Sequence, residues 1–238
     1  MTLNSDLKTL LNDNGANIVA FINIASFSKN QNQGFKNAVL FGLPLSPGYL
    51  QMITKSPGYV KTMVENKQMN QDEFHLKELK TDQLADTIAE YLRDKGYKAF
   101  SQSENNLSVT GLYNNTTKRT PLPHKTIARL AGIGWIGKHN LLVTKQYGSA
   151  ISMCSVLTDA PLETSSPTPM ESLCGNCSTC VDKCPEKVIT GKLWQPGIDR
   201  DQLVDVHHCT TCLNCMVFCP FTRKYSNNQL ARQSIQHI

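Results

Sequence analysis

The sequence lacks any long apolar run and any amino-terminal segment typical of secretion. Its most apolar stretch, residues 16–25, is interrupted by Asn17 and Asn23 and is too short to span a bilayer. The first residues, MTLNSDLKTLLNDNG, contain neither the basic segment nor the apolar core of a signal peptide. Charged residues make up only 18% of the chain, but hydrophobic residues make up 40%, which excludes a disordered chain. We therefore expect a globular protein of the cytoplasm, where thiols stay reduced, with no membrane partner.

Cysteine is the residue that the chain has in abundance, with nine in 238 residues. Eight of them form two runs of the pattern C-x2-C-x2-C-x3-C-P, and the second run repeats the first at an offset of 35 residues. This pattern is the bacterial motif for paired [4Fe–4S] clusters, in which the fourth cysteine of each run binds the cluster of the other run. The predicted ligand sets are Cys174, Cys177, Cys180 and Cys219 for the first cluster, and Cys209, Cys212, Cys215 and Cys184 for the second.

Three other uses of clustered cysteines fit this spacing less well. Structural zinc sites usually pair two CxxC units and do not use CxxCxxC followed by CP. A disulfide framework needs an oxidising compartment, which nothing in the sequence indicates. A redox-active CxxC motif would not need eight cysteines. Iron–sulfur clusters are therefore the prediction.

The formal net charge of +5 counts the cysteines as neutral thiols. Eight thiolates around two oxidised clusters would add a charge of about −4, which gives the protein with both clusters a net charge of about +1. The basic residues therefore mainly offset the clusters and do not indicate a nucleic-acid surface.

Helical and strand patterns are mixed across the first 160 residues. We expect helices at residues 5–14, with Ser5 as the N-cap, and at 72–95. We expect strands at 16–27, 37–43, 97–101 and 150–157, a loop at 28–36, and a loop or weak hairpin at 102–120. Three prolines in residues 161–169 predict a linker. The predicted domains are residues 1–168, residues 169–226 and a polar tail at 227–238. The predicted class is α+β, with a layered amino-terminal domain and a two-cluster ferredoxin-like domain.

Residues 132–137, GIGWIG, match the dinucleotide-binding pattern G-x-G-x-x-G. That fingerprint needs a strand before the glycines and a helix after them, whose N-terminus binds the pyrophosphate. Here the predicted order is reversed, with a helix at 124–131 first and a strand at 141–144 afterwards, which argues against NAD. One interpretation is a tight connection whose glycines have positive φ, and the other is a loop that lets a ligand approach the backbone.

Five segments resemble the epoxyqueuosine reductases and the related reductive dehalogenases. They are ARLAGIGWIGKH at residues 128–139, LL at 141–142, GS at 148–149, VLTDAPL at 156–162, and the passage at 81–98. The double-cysteine region follows in the same order as in that family. The resemblance implies a nitroreductase-like domain that holds a corrinoid beside one cluster. It also implies electron transfer from a low-potential donor of the ferredoxin or flavodoxin type to cobalt.

The resemblance makes Gly134, Trp135, Gly137 and Lys138 the candidate cofactor-binding residues, for cobalamin first and for flavin as the less favoured alternative. Two departures from the family matter. The acid expected before the GWIGK helix is missing, since residues 117–121 read TKRTP. The chain also ends soon after the cysteines, without the helical repeats that help those enzymes hold tRNA, and has no twin-arginine leader. We expect a short, divergent relative for which tRNA is a disfavoured but not an excluded partner, and no catalytic residue is assigned.

The predicted function is that of an iron–sulfur oxidoreductase that passes electrons through two [4Fe–4S] clusters to a cofactor in the amino-terminal domain. The alternative is an electron-transfer or activator protein that delivers low-potential electrons to a partner protein and has no substrate of its own. Other residues are weaker candidates for proton donors, metal ligands or anion contacts, each weighed against an ordinary structural role: Tyr113, Lys118, Arg119, His124, His139, Cys154, His207 and His208.

Overall fold

The computed structural model describes residues 2–56 and 58–236, and the side chains of residues 231–236 are not described. The chain divides into two compact units, and each combines segments that are distant in the sequence. The first unit comprises Met1–Pro44, Lys77–Ile133 and Ser152–Pro169, and the second comprises Leu45–Leu76, Gly134–Ile151 and Met170–Ile238. The predicted functional domains, with boundaries after residues 168 and 226, remain a prediction.

The first unit contains a four-stranded sheet in the order β1-β2-β6-β3. Its strands are β1 (Ile18–Asn23), β2 (Asn37–Pro44), β3 (Ala99–Ser101) and β6 (Ile151–Thr158). Strands β1 and β2 are antiparallel, with Ile18 opposite Gly42, and β3 pairs antiparallel with β6, with Ala99 opposite Thr158. Because β2 is buried along nearly its whole length, it reads as a continuous apolar run.

Helices pack on this sheet through apolar side chains. They are α1 (Leu3–Asp13), α5 (Glu73–Asp94), α6 (Glu104–Val109) and α7 (His124–Leu130). The short α2 (Lys29–Asn32) has no apolar residue and is held by Asn32, whose side-chain amide donates to the carbonyl oxygens of Ile24 and Phe27. Leu84, Ile88 and Leu92 recur at helical spacing along α5, and all three lie in the core with Phe41 of β2. The predicted mixture of helices and sheet is therefore confirmed.

The second unit has helices α3 (Pro47–Lys55) and α4 (Tyr59–Glu65), a two-stranded ribbon of β4 (Trp135–Ile136) and β5 (Leu142–Val143), and helices α8 (Thr179–Asp182), α9 (Asn214–Val217) and α10 (Pro220–Gln236). Two 3-10 turns, Met69–Gln71 and Arg200–Gln202, complete it. Helix α10 is anchored where the Tyr225 hydroxyl donates to the carbonyl oxygen of Leu45 at 2.9 Å. Within the described residues, no helix is both long and apolar enough to cross a membrane.

Several predicted boundaries were wrong for local reasons. Helix α1 begins at Leu3 because the Thr2 hydroxyl, and not that of Ser5, caps it by accepting from the backbone N–H of Ser5. The predicted loop at 28–36 contains α2, and the loop at 102–120 contains α6, whose N-cap is Ser103. Residues 227–236 of the predicted tail belong to α10, and residues 237–238 lie outside the described part of the chain.

Candidate metal centre

Each cysteine run carries its third cysteine on a four-residue helix. In the first run, Cys174 and Cys177 lie on a loop, and the backbone N–H of Cys177 donates to the carbonyl oxygen of Cys174 at 2.9 Å. The four-residue helix α8 then carries the third cysteine, Cys180, which is buried. In the second run, the equally short helix α9 carries Cys215, the third cysteine there. The sequence repeat is therefore also a structural repeat, with a loop, one helical turn and a fourth cysteine.

Positive φ angles occur in the second run where its loop turns into α9. Thr211 has φ of 52° and Leu213, the residue before α9, has φ of 63°. A non-glycine residue in this region costs about 1–2 kcal/mol. Leu213 is buried, and its carbonyl oxygen accepts a hydrogen bond from the N–H of Met216, which holds this conformation. The strain lies beside candidate ligands, which is where such strain is commonly found.

The thiols whose charges raise the pKa values of Cys180, Cys212 and Cys219 all belong to the predicted set of that cysteine. Burial, followed by the charges of Cys174, Cys177 and Cys219, raises the pKa of Cys180 to about 11. Burial also raises the pKa of Cys219, with Cys174 and Cys177 adding to it. The first run is thus joined by the last cysteine of the second run. The structure brings these four thiols together, and their binding to a cluster remains a prediction.

The second set likewise includes the last cysteine of the other run. Burial, followed by the charges of Cys212 and Cys209, raises the pKa of Cys215 to about 12. The pKa of Cys212 is raised by burial and then by Cys184 and Cys209, so the last cysteine of the first run lies beside the second run. Cys215 also lies near Cys180, so the two sets are neighbours.

Raised thiol pKa values mean that metal binding must displace protons. Thiolates are the metal ligands, and these thiols are neutral at pH 7 without a positively charged partner. Among the described residues, no three His, Cys, Asp or Glu side chains converge on one point as ligands of a single ion would. The eight thiols form two sets, and each set has the four sulfur donors that a [4Fe–4S] cluster uses. The donor chemistry therefore fits two clusters.

Apolar side chains surround both sets. Val188, Ile189 and Val204 pack with Cys180 and Cys184, and Phe221 packs with Cys174 and Cys219. The sets differ at their outer edge, because Cys209 is exposed whereas its counterpart in the repeat, Cys174, is half-buried. Exposure and hydrogen bonding to sulfur are among the factors that set a cluster's potential. The two sites therefore offer different environments.

The glycines of residues 132–137 have two separate structural reasons. Gly132 has φ of +65° and ends the turn after α7, as the tight-connection interpretation expects. Gly134 and Gly137 do not have positive φ. A methyl group on Gly134 would overlap the carbonyl oxygen of Val143, and one on Gly137 would lie 2.8 Å from Cε1 of His139. The chain itself fills the space that a ligand-approach loop would leave open.

Trp135 and Lys138 both contact the first cysteine loop. The Trp135 side chain is 1% exposed, and the centroid of its ring lies 4.8 Å from that of Phe221 in an edge-to-face arrangement. Its Nε1–H donates to Sγ of Cys174 at 3.4 Å. Nζ of Lys138 donates to the carbonyl oxygen of Cys177 at 2.9 Å. Sequence reasoning placed both residues at a cofactor but could not link them to these cysteines, 39 residues away in each case. Corrinoid contact by these residues remains a prediction.

His124 lies in a polar relay of the first unit. Since Oε1 of Gln102 can only accept, the Ser155 hydroxyl donates to it at 2.7 Å. Ser155 Oγ therefore accepts from Nδ1–H of His124 at 2.8 Å, which leaves the proton of the neutral ring on Nδ1. Burial lowers the pKa of His124 to about 4, so the ring is neutral at pH 7. Nothing in the sequence indicated this relay, because its members are separated by dozens of residues.

The other candidate residues have ordinary surroundings. Cys154 is fully buried in the sheet, as expected, and its thiol lies 3.8 Å from Oδ1 of Asp82. His139 is buried and accepts the N–H of Leu141 at Nδ1. His208 is exposed and pairs with Asp205 at 2.7 Å. Three residues lie in or beside a turn closed by backbone pairing of Asn114 with Arg119: Tyr113, Lys118 and Arg119.

Comparison with known proteins supports the iron–sulfur prediction. Residues 173–223 match the family model of the 4Fe-4S dicluster domain. The chain is 26% identical over 172 residues to the epoxyqueuosine reductase of Aliivibrio fischeri, covering 62% of this chain and 39% of that protein. It is 33% identical over 111 residues to the Listeria monocytogenes enzyme, covering 41% and 29%. The chain thus spans well under half the length of these relatives.

Solved structures share the fold at low identity. The epoxyqueuosine reductase of Streptococcus thermophilus aligns over 94% of this chain and 67% of its own, with a TM-score of 0.55 and 16% identity. A catabolic reductive dehalogenase in complex with 3-bromo-4-hydroxybenzoic acid aligns over 91% of this chain and 31% of its own, with a TM-score of 0.64 and 18% identity. The predicted resemblance is confirmed: the chain carries a 4Fe-4S dicluster domain and has the fold of epoxyqueuosine reductases and reductive dehalogenases.

Proposed function

We propose that this protein is an iron–sulfur oxidoreductase that passes electrons from a low-potential donor to a cofactor held by its amino-terminal residues. The observation that carries the proposal is the grouping of eight thiols into two sets, each completed by the last cysteine of the other run. When bound, [4Fe–4S] clusters supply one-electron transfer at low potential.

The protein's own residues give the two sets different tasks. The thiols of Cys180 and Cys219 are buried among apolar side chains, which limits the access of water to this half of the first set. Cys209 lies at the surface, so the second set is where a donor can approach closely. A donor of the ferredoxin or flavodoxin type therefore docks near Cys209, and the first set receives electrons from the second.

A corrinoid is the proposed electron acceptor. The support is the shared fold, since one solved reductive dehalogenase with this fold, at 19% identity and a TM-score of 0.64, is described as suggesting a mechanism for B12-dependent dehalogenation. Trp135 is buried and a neighbouring segment fills the space at Gly134, so Lys138, which is half-buried, is the candidate cofactor residue that leaves side-chain surface for it. No reaction step at a corrinoid is derived, and flavin is the weaker alternative acceptor.

Anaerobic reconstitution with cobalamin tests this acceptor. Purified chain carrying its clusters is mixed with hydroxocobalamin, desalted and examined by absorption spectroscopy beside a flavin-treated sample. We expect retained cobalamin with a shifted spectrum and no retained flavin. A chain that elutes with full iron and no cobalamin would reject the corrinoid and leave the clusters in place.

A second candidate function is electron delivery to a partner protein, and one observation favours it. No Asp or Glu occurs between Glu104 and Asp159, although this span includes the segment where the family carries an acid. One solved Bacillus subtilis epoxyqueuosine reductase is described with an aspartate on its catalytic loop. Without a carboxylate to donate a proton, reduction of epoxyqueuosine in tRNA is the least supported activity.

Affinity capture under anaerobic conditions separates the two functions. An electron-delivery protein should reduce a captured redox partner and should show no turnover of small epoxides or aryl halides. Turnover of such a substrate by the isolated, cobalamin-loaded chain would reject the electron-delivery function.

A further inference from the structure

Trp135 is held rigidly against the first cysteine set. It begins β4, where it pairs with Val143 of β5 in an antiparallel ribbon. The close approach of Gly134 to the Val143 carbonyl fixes the backbone just before the indole. Phe221, which follows Cys219 and Pro220, packs edge-to-face on the ring. The indole therefore has one orientation, with Nε1–H directed at Sγ of Cys174.

Lys138 adds a positive charge to the same loop. Its ammonium group donates to the carbonyl oxygen of Cys177, while the side chain is only half-buried. Cys174 and Cys177 are therefore contacted by two donors from one five-residue segment, GWIGK. In the second run, the counterpart of Cys174 is the exposed Cys209.

We propose that Trp135 and Lys138 are positioning residues that hold the first cysteine loop and raise the reduction potential of the first cluster. The proposal rests on the proposed function, because it requires a cluster on this set. Reduction adds one electron from the donor and one negative charge shared by iron and sulfur, with no proton taken up. An N–H donor to a ligand sulfur and a nearby ammonium both stabilise the reduced state more than the oxidised state.

The test is a redox titration of the holoprotein followed by electron paramagnetic resonance. In the W135F variant, one of the two clusters should become harder to reduce. At a fixed potential its reduced-to-oxidised ratio should fall about tenfold, the scale of a charge-assisted hydrogen bond, which is about 59 mV for a one-electron couple. The other midpoint potential should stay unchanged. Unchanged potentials for both clusters, with full iron content, would overturn the proposal.

Variants of Lys138 separate charge from packing. K138M keeps most of the unbranched side chain but removes the donor and the charge, so it should shift the same midpoint potential in the same direction. K138R keeps the charge and should remain close to the native potential. Equal shifts in both variants would show a packing effect and would contradict the role of charge.

A nuclear magnetic resonance measurement that leaves Trp135 in place covers the case in which the W135F variant fails to assemble its clusters. The sequence has only two tryptophans, Trp135 and Trp194. With 15N-labelled tryptophan, the W194F variant identifies the Trp135 indole signal. We expect this signal to broaden and shift when the clusters are reduced. An unaffected Trp135 signal would overturn the proposal, whereas a native chain with no iron–sulfur signal at all would reject the proposed function as well.

Discussion

Replacing Gly148 by alanine should weaken the fold and the first metal site together. Gly148 has φ of +60°, and a methyl group there would overlap the backbone nitrogen and Cα of Thr222 in α10. Thr222 is fully buried, and its hydroxyl accepts the N–H of Ser149 at 3.0 Å. Helix α10 starts at Pro220, directly after Cys219, so a displacement at Thr222 is passed to a candidate ligand.

The size of the effect follows from three contributions. A left-handed conformation costs alanine about 1–2 kcal/mol. Overpacking against a buried backbone costs about 1–3 kcal/mol. Loss of the hydrogen bond from Ser149 to Thr222 costs a further ~1 kcal/mol. We therefore expect the free energy of unfolding of G148A to fall by about 3–6 kcal/mol.

Gly197 provides the matched control. It has φ of +85° in the same unit, but a methyl group there would meet no atom within 4 Å. G197A should therefore lose only about 1–2 kcal/mol in urea unfolding of the metal-free chain. After anaerobic reconstitution and desalting, G148A should retain about half of the iron and G197A nearly all of it. Equal stability and equal iron content in the two variants would refute this reasoning.

Three further predictions concern pH, the core and the ligand sets. Burial lowers the pKa of His124 to about 4 from its ordinary 6.5, so between these pH values the unfolded chain binds a proton that the folded chain does not. The free energy of unfolding should therefore fall by up to about 3 kcal/mol as the pH drops from about 6.5 to about 4. The H124N variant should flatten this pH dependence when it is measured by urea unfolding. I88A, at a fully buried site, should lose about 2–5 kcal/mol in urea, whereas L79A, at a position 46% exposed, should lose less than about 1 kcal/mol. C219S and C184S should each remove a different electron paramagnetic resonance signal and leave about four irons per chain, and loss of the same signal in both would contradict the exchanged sets.

The sequence predicted what depends on local pattern. The cysteine spacing indicated two clusters because the motif is written in consecutive loops and turns, and the apolar period of α5 predicted its burial at Ile88 and Leu92. Helix α7 precedes Gly132 and strands β4 and β5 follow it, which is the order that the sequence predicted. These features need no knowledge of distant contacts.

Features set by tertiary packing could not be predicted. The contact between Trp135 and Cys174 joins segments 39 residues apart, and the hydrogen bond between His124 and Ser155 joins segments 31 residues apart. Gly134 does not have a positive φ, so glycine is required there by the close approach of Val143 in the neighbouring strand and not by the conformation of its own turn. Helix α6 was predicted as loop because its asparagines disfavour helix, while the cap at Ser103 stabilises it.

The most direct test is iron and acid-labile sulfide analysis of anaerobically purified chain, combined with Mössbauer spectroscopy. We predict about eight irons and eight sulfides per chain, all in [4Fe–4S] clusters. A colourless chain that carries zinc or no metal, while folded, would contradict the proposed electron transfer.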